Sequence, residues 1–120
     1  MRNCCYAPAV TVPDFLLDEA ARRFALLSDP TRLRILALLL EREPMTVTEL
    51  SDALGIAAPN VSQHLARLSA GRLVGREKQG RTVQYRTTEP SLHPLCELMC
   101  SALVDQAERL SIHPTRARAG

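Results

Sequence analysis

Cys96 and Cys100 stand four residues apart in a segment with a helical apolar period. That spacing puts both side chains on one face, with β-carbons about 5–6 Å apart. Two thiols so placed can share one soft ion, or act as a dithiol that an oxidant closes and a reductant reopens. A third sulfur is the fitting complement for a soft ion, and the adjacent pair Cys4 and Cys5 is the candidate source. Trivalent arsenic or antimony would accept three thiolates, while cadmium, lead or mercuric ion would accept two to four; arsenite is narrowly favoured. Buried cysteines also serve as small hydrophobes, which is the competing reading of Cys96 and Cys100. Cys4-Cys5 lies in a polar stretch with no core to join, so a ligand or redox role suits it better. His93 and Glu97 adjoin the thiols but are harder donors, and His93 and His113 are read as surface residues.

A second cluster has different chemistry. Asn60, Ser62 and Gln63, with His64 beside them, put short hydrogen-bonding side chains at the start of an amphipathic segment, where they could reach the edges of nucleic-acid bases. Arg67, one turn further, suits a phosphate. Exposed helix starts are rich in Asn and Ser for capping reasons alone, so the next segment decides. Arg67, Arg72, Arg76, Lys78, Arg81 and Arg86 fall within 20 residues whose only acid is Glu77. Of these, Arg76, Lys78 and Arg81 flank the turn signal Gln79-Gly80, placing cations such as Lys78 and Arg81 on a thin protrusion beside the polar helix. The overall charge of +2, from 15 basic and 13 acidic residues, would not by itself indicate a nucleic-acid partner.

The elements that must carry these residues follow from periodicity. Residues 1–13 hold two cysteines and two prolines without a helical period and are read as a flexible arm. Residues 14–110 form one domain, and 111–120 a disordered tail. Phe15, Leu16, Ala20, Phe24 and Leu27 mark a first helix with one buried stripe. Asp29 caps a second helix, Pro30 suits its first turn, and its run from Leu33 to Leu40 is apolar nearly all round. Thr46 or Thr48 caps a short third helix that Gly55 closes, with Ile56 plugging the core. Pro59 opens a fourth helix with Val61, Leu65 and Leu68 inward, and Gly71 ends it. Val74, Val83 and Tyr85 among long polar residues predict a two-stranded hairpin. Glu89-Pro90-Ser91 caps a last helix from about Leu92 to Leu110, with Leu95, Leu98, Met99, Ala102, Leu103 and Ala107 on its apolar side. The fold class is mainly α with a β-hairpin wing, in the order α-α-α-α-β-β-α. A short helix, a glycine turn and a polar-faced second helix, here Thr48 to Ala70, make a helix-turn-helix unit.

Ser28-Asp29-Pro30-Thr31-Arg32-Leu33-Arg34-Ile35-Leu36, Asn60-Val61-Ser62-Gln63-His64-Leu65, Gly71-Arg72-Leu73-Val74 and Gly80-Arg81, in this order, resemble the ArsR/SmtB family of metal-responsive winged helix-turn-helix repressors over roughly residues 14–110. The resemblance implies a homodimer assembled through the first and last helices. It implies repression by binding double-stranded operator DNA, base contact by Ser62 and Gln63, and release when an inducer binds. Two reading helices one DNA turn apart, about 34–36 Å, would match an imperfect inverted repeat. Departures matter as much. Ser91, His93, Val104 and Ala107 stand where the family's last-helix zinc ligands fall, and Thr46-Val47-Thr48 replaces its Cys-Val-Cys site. Pro59 replaces a frequent hydroxyl residue. A relocated thiol site built from Cys4, Cys5, Cys96 and Cys100 is what remains, with the arm of one subunit folding over the helix of the other.

The alternative is a thiol redox repressor using a reversible disulfide. An enzyme is not expected: Cys with His would be the only nucleophile and base, and no strained loop, phosphate cradle or hydrolase motif accompanies them. A start too polar for a signal peptide and the lack of a long apolar run predict a cytoplasmic protein without membrane contact, in which the cysteines are thiols.

Overall fold

Between the first two helices the chain turns where Asp29 takes extended backbone and its Oδ2 accepts the Arg32 N–H at 3.0 Å, ending one helix and capping the next with Pro30 in its first turn. The computed structural model describes residues 11–110. In chain order these form α1 (Asp14–Leu27), α2 (Pro30–Arg42), β1 (Met45–Thr46), α3 (Val47–Leu54), α4 (Ala58–Ala70), β2 (Val74–Gln79), β3 (Thr82–Thr87) and α5 (Leu92–Arg109). Residues 1–10 and 111–120, with Cys4, Cys5 and His113, lie outside the described residues.

The expected hairpin is present, but the sheet has three strands rather than two. β3 lies between β2 and β1, both antiparallel to it, with Val74 opposite Thr87, Gln79 opposite Thr82 and Met45 opposite Tyr85. A two-residue strand carries no alternation, so β1 is invisible to a periodicity argument; its pairing is tertiary. Glu43 extends the seam, its Oε1 accepting the Thr87 N–H at 2.6 Å and the Thr87 hydroxyl at 2.8 Å.

The core is aliphatic. Ile35, Leu36 and Leu39 of α2, Leu50 of α3, and Val61, Leu65 and Leu68 of α4 are fully buried, with Leu73, Val74, Met45 and Leu92 closing the edges. Each such burial contributes roughly 1.5–3 kcal/mol relative to an exposed side chain. Gly71 ends α4 for a packing reason: a Cβ there would lie 2.2 Å from Leu26 Cδ1, so the end of α4 rests directly on α1. The left-handed residue after the helix is Arg72, at φ 64°.

The buried stripe expected on α1 is not buried in the single chain, and the apolar side of α5 is likewise uncovered. None of α1 is buried, and Phe15, Leu16, Leu17 and Phe24 face outward; only Leu26 and Leu27 of this helix pack against the core. On α5 only Leu92 is buried, while Leu98, Met99, Leu103 and Val104 are exposed. Amphipathic period establishes that a face is apolar, not which chain covers it. The cap of α5 also differs from expectation. The Ser91 side chain makes no capping bond; instead Glu89 Oε2 accepts the Ser91 N–H and hydroxyl, and Glu89 Oε1 accepts from Arg23 of α1 at 3.1 Å.

Candidate nucleic-acid interface and thiol face

Local bonds set the angle between α3 and α4. Thr46 Oγ1 accepts the Glu49 N–H at 3.1 Å and Glu49 Oε1 accepts the Thr46 N–H at 2.9 Å, a complete capping box, which selects Thr46 over Thr48. Gly55 closes α3 at φ 67°, a left-handed conformation that favours glycine, and the Ser51 hydroxyl donates to the Ile56 carbonyl across the turn. Ile56 is half-buried against the core as expected. With Val61, Leu65 and Leu68 committed inward, Asn60, Ser62, Gln63, Ala66 and Arg67 are left exposed on the opposite side of α4.

His64 does not join them. Its side chain is 24% exposed, and its Nδ1 lies 3.4 Å from the Arg32 guanidinium and 4.0 Å from Asp29 Oδ2. The exposed polar face of α4 therefore runs from Asn60 to Arg67 with His64 turned to its flank. Asp29 is held below the usual carboxylate range, chiefly by the Arg32 N–H and also by the charge of Arg32 and by His64.

Beside α4 the β2–β3 hairpin projects Lys78 and Arg81 into solvent around the two-residue turn Gly80-Arg81. Arg76 pairs across the strands with Tyr85 and lines a groove with Ser62, Ala66 and Ser69 of α4. It shares a strand face with the buried Val74, so counting by two from Val74 would have turned it toward α4. The wing thus presents cations both at its tip and at its junction with the helix. Such an arrangement can hold phosphates on either side of a groove occupied by α4.

The thiol face lies on α5. Cys96 is half-buried and Cys100 exposed, one turn apart along the flank of the stripe formed by Leu92, Met99 and Leu103. Burial pushes the Cys96 thiol above its ordinary value, and the neighbouring Cys100 adds to the shift. His93 Nδ1 sits 3.9 Å from Glu97 Oε1, an exposed pair alongside. Among the described residues no three His, Cys, Asp or Glu side chains gather in a way that could hold a metal ion. Cys96 and Cys100 supply two soft donors; the other candidates, Cys4 and Cys5, are outside the described residues.

A capped helix-turn-helix with a cationic wing on an aliphatic three-helix core defines a winged helix-turn-helix DNA-binding protein. Residues 27–76 match the family model of a helix-turn-helix domain. The chain is 43% identical over 75 residues to the HTH-type transcriptional regulator KmtR of Mycobacterium tuberculosis, covering 62% of this chain and 57% of that protein. It is 37% identical over 86 residues to the arsenical resistance operon repressor of Escherichia coli, covering 72% of this chain and 69% of that one. Among solved structures, the homodimeric winged helix-turn-helix domain of Mb0332 from Mycobacterium bovis, a possible ArsR-family regulator, superimposes with a TM-score of 0.71 at 26% identity, over 86% of this chain and 95% of that one. The chain belongs to the ArsR/SmtB family of winged-helix transcriptional repressors. This is a family of DNA-binding regulators rather than enzymes, and among the described residues no helix is long and apolar enough to cross a membrane.

Proposed function

We propose that the protein is a metal(loid)-responsive repressor. It holds operator DNA as a homodimer and releases it when a thiophilic ion binds the thiolates of Cys96 and Cys100 together with Cys4 and Cys5. The observation that carries this reading is the position of the dithiol: it flanks an apolar face of α5 that the single chain leaves uncovered. Exposed apolar faces of this extent mark interaction sites. A cleft of about 190 Å³ between α1 and the start of α5, lined by Phe24, Leu27, Leu73, Leu92 and Leu95, adds that packing here is incomplete in one chain. A second copy laid against α1 and α5 would cover both, and the arm bearing Cys4 and Cys5 would reach the dithiol from there. Ion binding would then bias the angle between two reading heads.

In this reading Asn60, Ser62 and Gln63 meet base edges, while Arg67, Lys78 and Arg81 hold phosphates of an imperfect inverted repeat. The inducer is arsenite or antimonite, or else cadmium, lead or mercuric ion. The redox alternative meets a geometric obstacle. β-carbons four residues apart on a helix are about 5–6 Å apart, whereas a disulfide needs about 3.5–4.5 Å, so joining Cys96 to Cys100 requires α5 to adjust locally; a disulfide between an arm cysteine and a helix cysteine is the other form of this alternative.

Fluorescence anisotropy of the reduced protein on DNA from its own promoter, titrated separately with each of these ions and with zinc, tests the proposal. A thiophilic ion is expected to weaken operator binding of the wild type by about 5–150-fold and leave Cys96→Ser unmoved. Because the Cys96 proton must leave, the ion's apparent affinity should rise with pH, about tenfold per unit for each proton released below the thiol's raised value. If no ion alters tight operator binding under reducing conditions, ion sensing is excluded.

A further inference from the structure

His64 was expected to join the DNA-reading residues, yet its partners are inside the protein. Arg32 stands at the centre of the arrangement. Its Nε donates to the Leu26 carbonyl at 2.7 Å, in the last turn of α1, and its Nη1 reaches His64 Nδ1 at 3.4 Å. A guanidinium can only donate, so a hydrogen bond across this pair requires Nδ1 to accept, which assigns the imidazole proton to Nε2. Asp29 Oδ2, which caps α2 through the Arg32 N–H, faces the same ring nitrogen at 4.0 Å. Leu26 itself meets the end of α4 through its side chain, its Cδ1 occupying the space where a Cβ of residue 71 would fall. Positions 64 and 71 are seven residues apart, so they lie on one side of α4, about 10 Å along its axis.

We propose that Arg32 and His64 are positioning residues for the reading helix. Apolar packing of Val61, Leu65 and Leu68 keeps α4 against the core but is non-directional and leaves its pitch loosely set. Two contacts, the Arg32 guanidinium of α2 at His64 and the Leu26 side chain of α1 at Gly71, set that pitch and so the distance of Ser62 and Gln63 from base edges. The inference rests on the operator-binding reading and names how the reading face is aimed.

A double-mutant cycle tests it. Operator and non-operator duplex affinities are measured for wild type, Arg32→Ala, His64→Ala, the double variant and His64→Asn, well below each melting temperature. Each alanine variant is expected to lose about tenfold in operator affinity, on the scale of one hydrogen bond to a charged group. The double variant should lose no more than the weaker-binding single variant. Non-operator binding should be unchanged because Arg67, Lys78 and Arg81 remain to hold phosphates. His64→Asn, which restores an acceptor near the Nδ1 position, should recover most of the loss. If Arg32→Ala does not fold, Arg32→Lys keeps the charge but not the fork and takes its place in the cycle. Additive losses, no rescue by Asn, or a His64→Ala effect confined to one operator base pair would overturn the proposal; the last would return His64 to base reading. Wild-type protein that fails to bind the operator overturns the repressor reading itself.

Discussion

Leu65 of α4 and Leu103 of α5 are the same residue type on the apolar sides of two amphipathic helices, yet Leu65 is fully buried and Leu103 is 55% exposed. Everything from α2 to β3 closes its core within one chain, whereas α1 and α5 turn Phe15, Phe24, Leu98 and Leu103 outward. The reading head is therefore a finished object. The outer pair of helices is half of one. In the proposed repressor this division is useful: the part that touches DNA stays rigid, and the part whose geometry depends on a second copy carries the thiols.

The largest effect that separates the two regions is truncation of a core leucine. Leu65→Ala should destabilise the fold by about 2–5 kcal/mol, with a urea midpoint independent of protein concentration. Leu103→Ala should cost little in a single chain and show its effect as a melting temperature that depends on concentration. Equal, concentration-independent losses for both would break the comparison.

The sequence disclosed the two regions unequally for the same reason. Val61, Leu65 and Leu68 could be assigned inward because α4 packs on its own chain, and Asp29, Gly55 and Thr46 announced their caps through local chemistry. The stripes on α1 and α5 were legible as apolar, but period carries no information about who provides the cover; only the family resemblance pointed to a second copy. β1 was missed because two residues have no period, and the bond from Arg23 to Glu89 because it spans 66 positions. Among the candidate DNA-contacting residues, His64 is the one whose side chain lies against Arg32 and Asp29 rather than on the exposed face of α4. Nothing local distinguishes an imidazole facing DNA from one facing Arg32 when the angle between α2 and α4 is unknown.

Next in size is a charge placed on the outer face. Leu103→Glu should convert dimer to monomer in sedimentation and weaken operator binding by about a hundredfold, because the second half-site is no longer delivered on the same molecule. Circular dichroism should still show the helices of the head, whose core includes Leu92 of α5 but not Leu103. A monomer that binds the operator as tightly as wild type would mean that one head suffices.

At the contact between the regions, Gly71→Ala should cost about 1 kcal/mol, since the new methyl meets the terminal Cδ1 of Leu26 and that side chain must turn aside. The same substitution shifts the end of α4, so operator affinity should fall at temperatures where the protein remains folded. A stability loss with operator affinity untouched would separate the packing of α1 on α4 from the aim of the reading face.

The smallest effect lies at the Arg23–Glu89 pair, which joins α1 to the first turn of α5. The Ser91 hydroxyl and amide, with the charge of Arg23 beside them, hold the Glu89 carboxyl below its usual range. A carboxylate lowered in the folded state contributes stability above its unfolded value, about 4.3, and loses it as pH falls through the lowered one. Glu89→Gln should therefore melt slightly below wild type at neutral pH, with the gap closing in acid as the wild-type carboxylate takes up its proton. The pair is partly exposed, so salt should narrow the gap as well. A gap that persists in acid and in high salt would show that the shape of Glu89, bridging Ser91 and Arg23, matters more than its charge. The junction between the finished and unfinished regions would then be held by hydrogen-bond geometry, not by an ion pair.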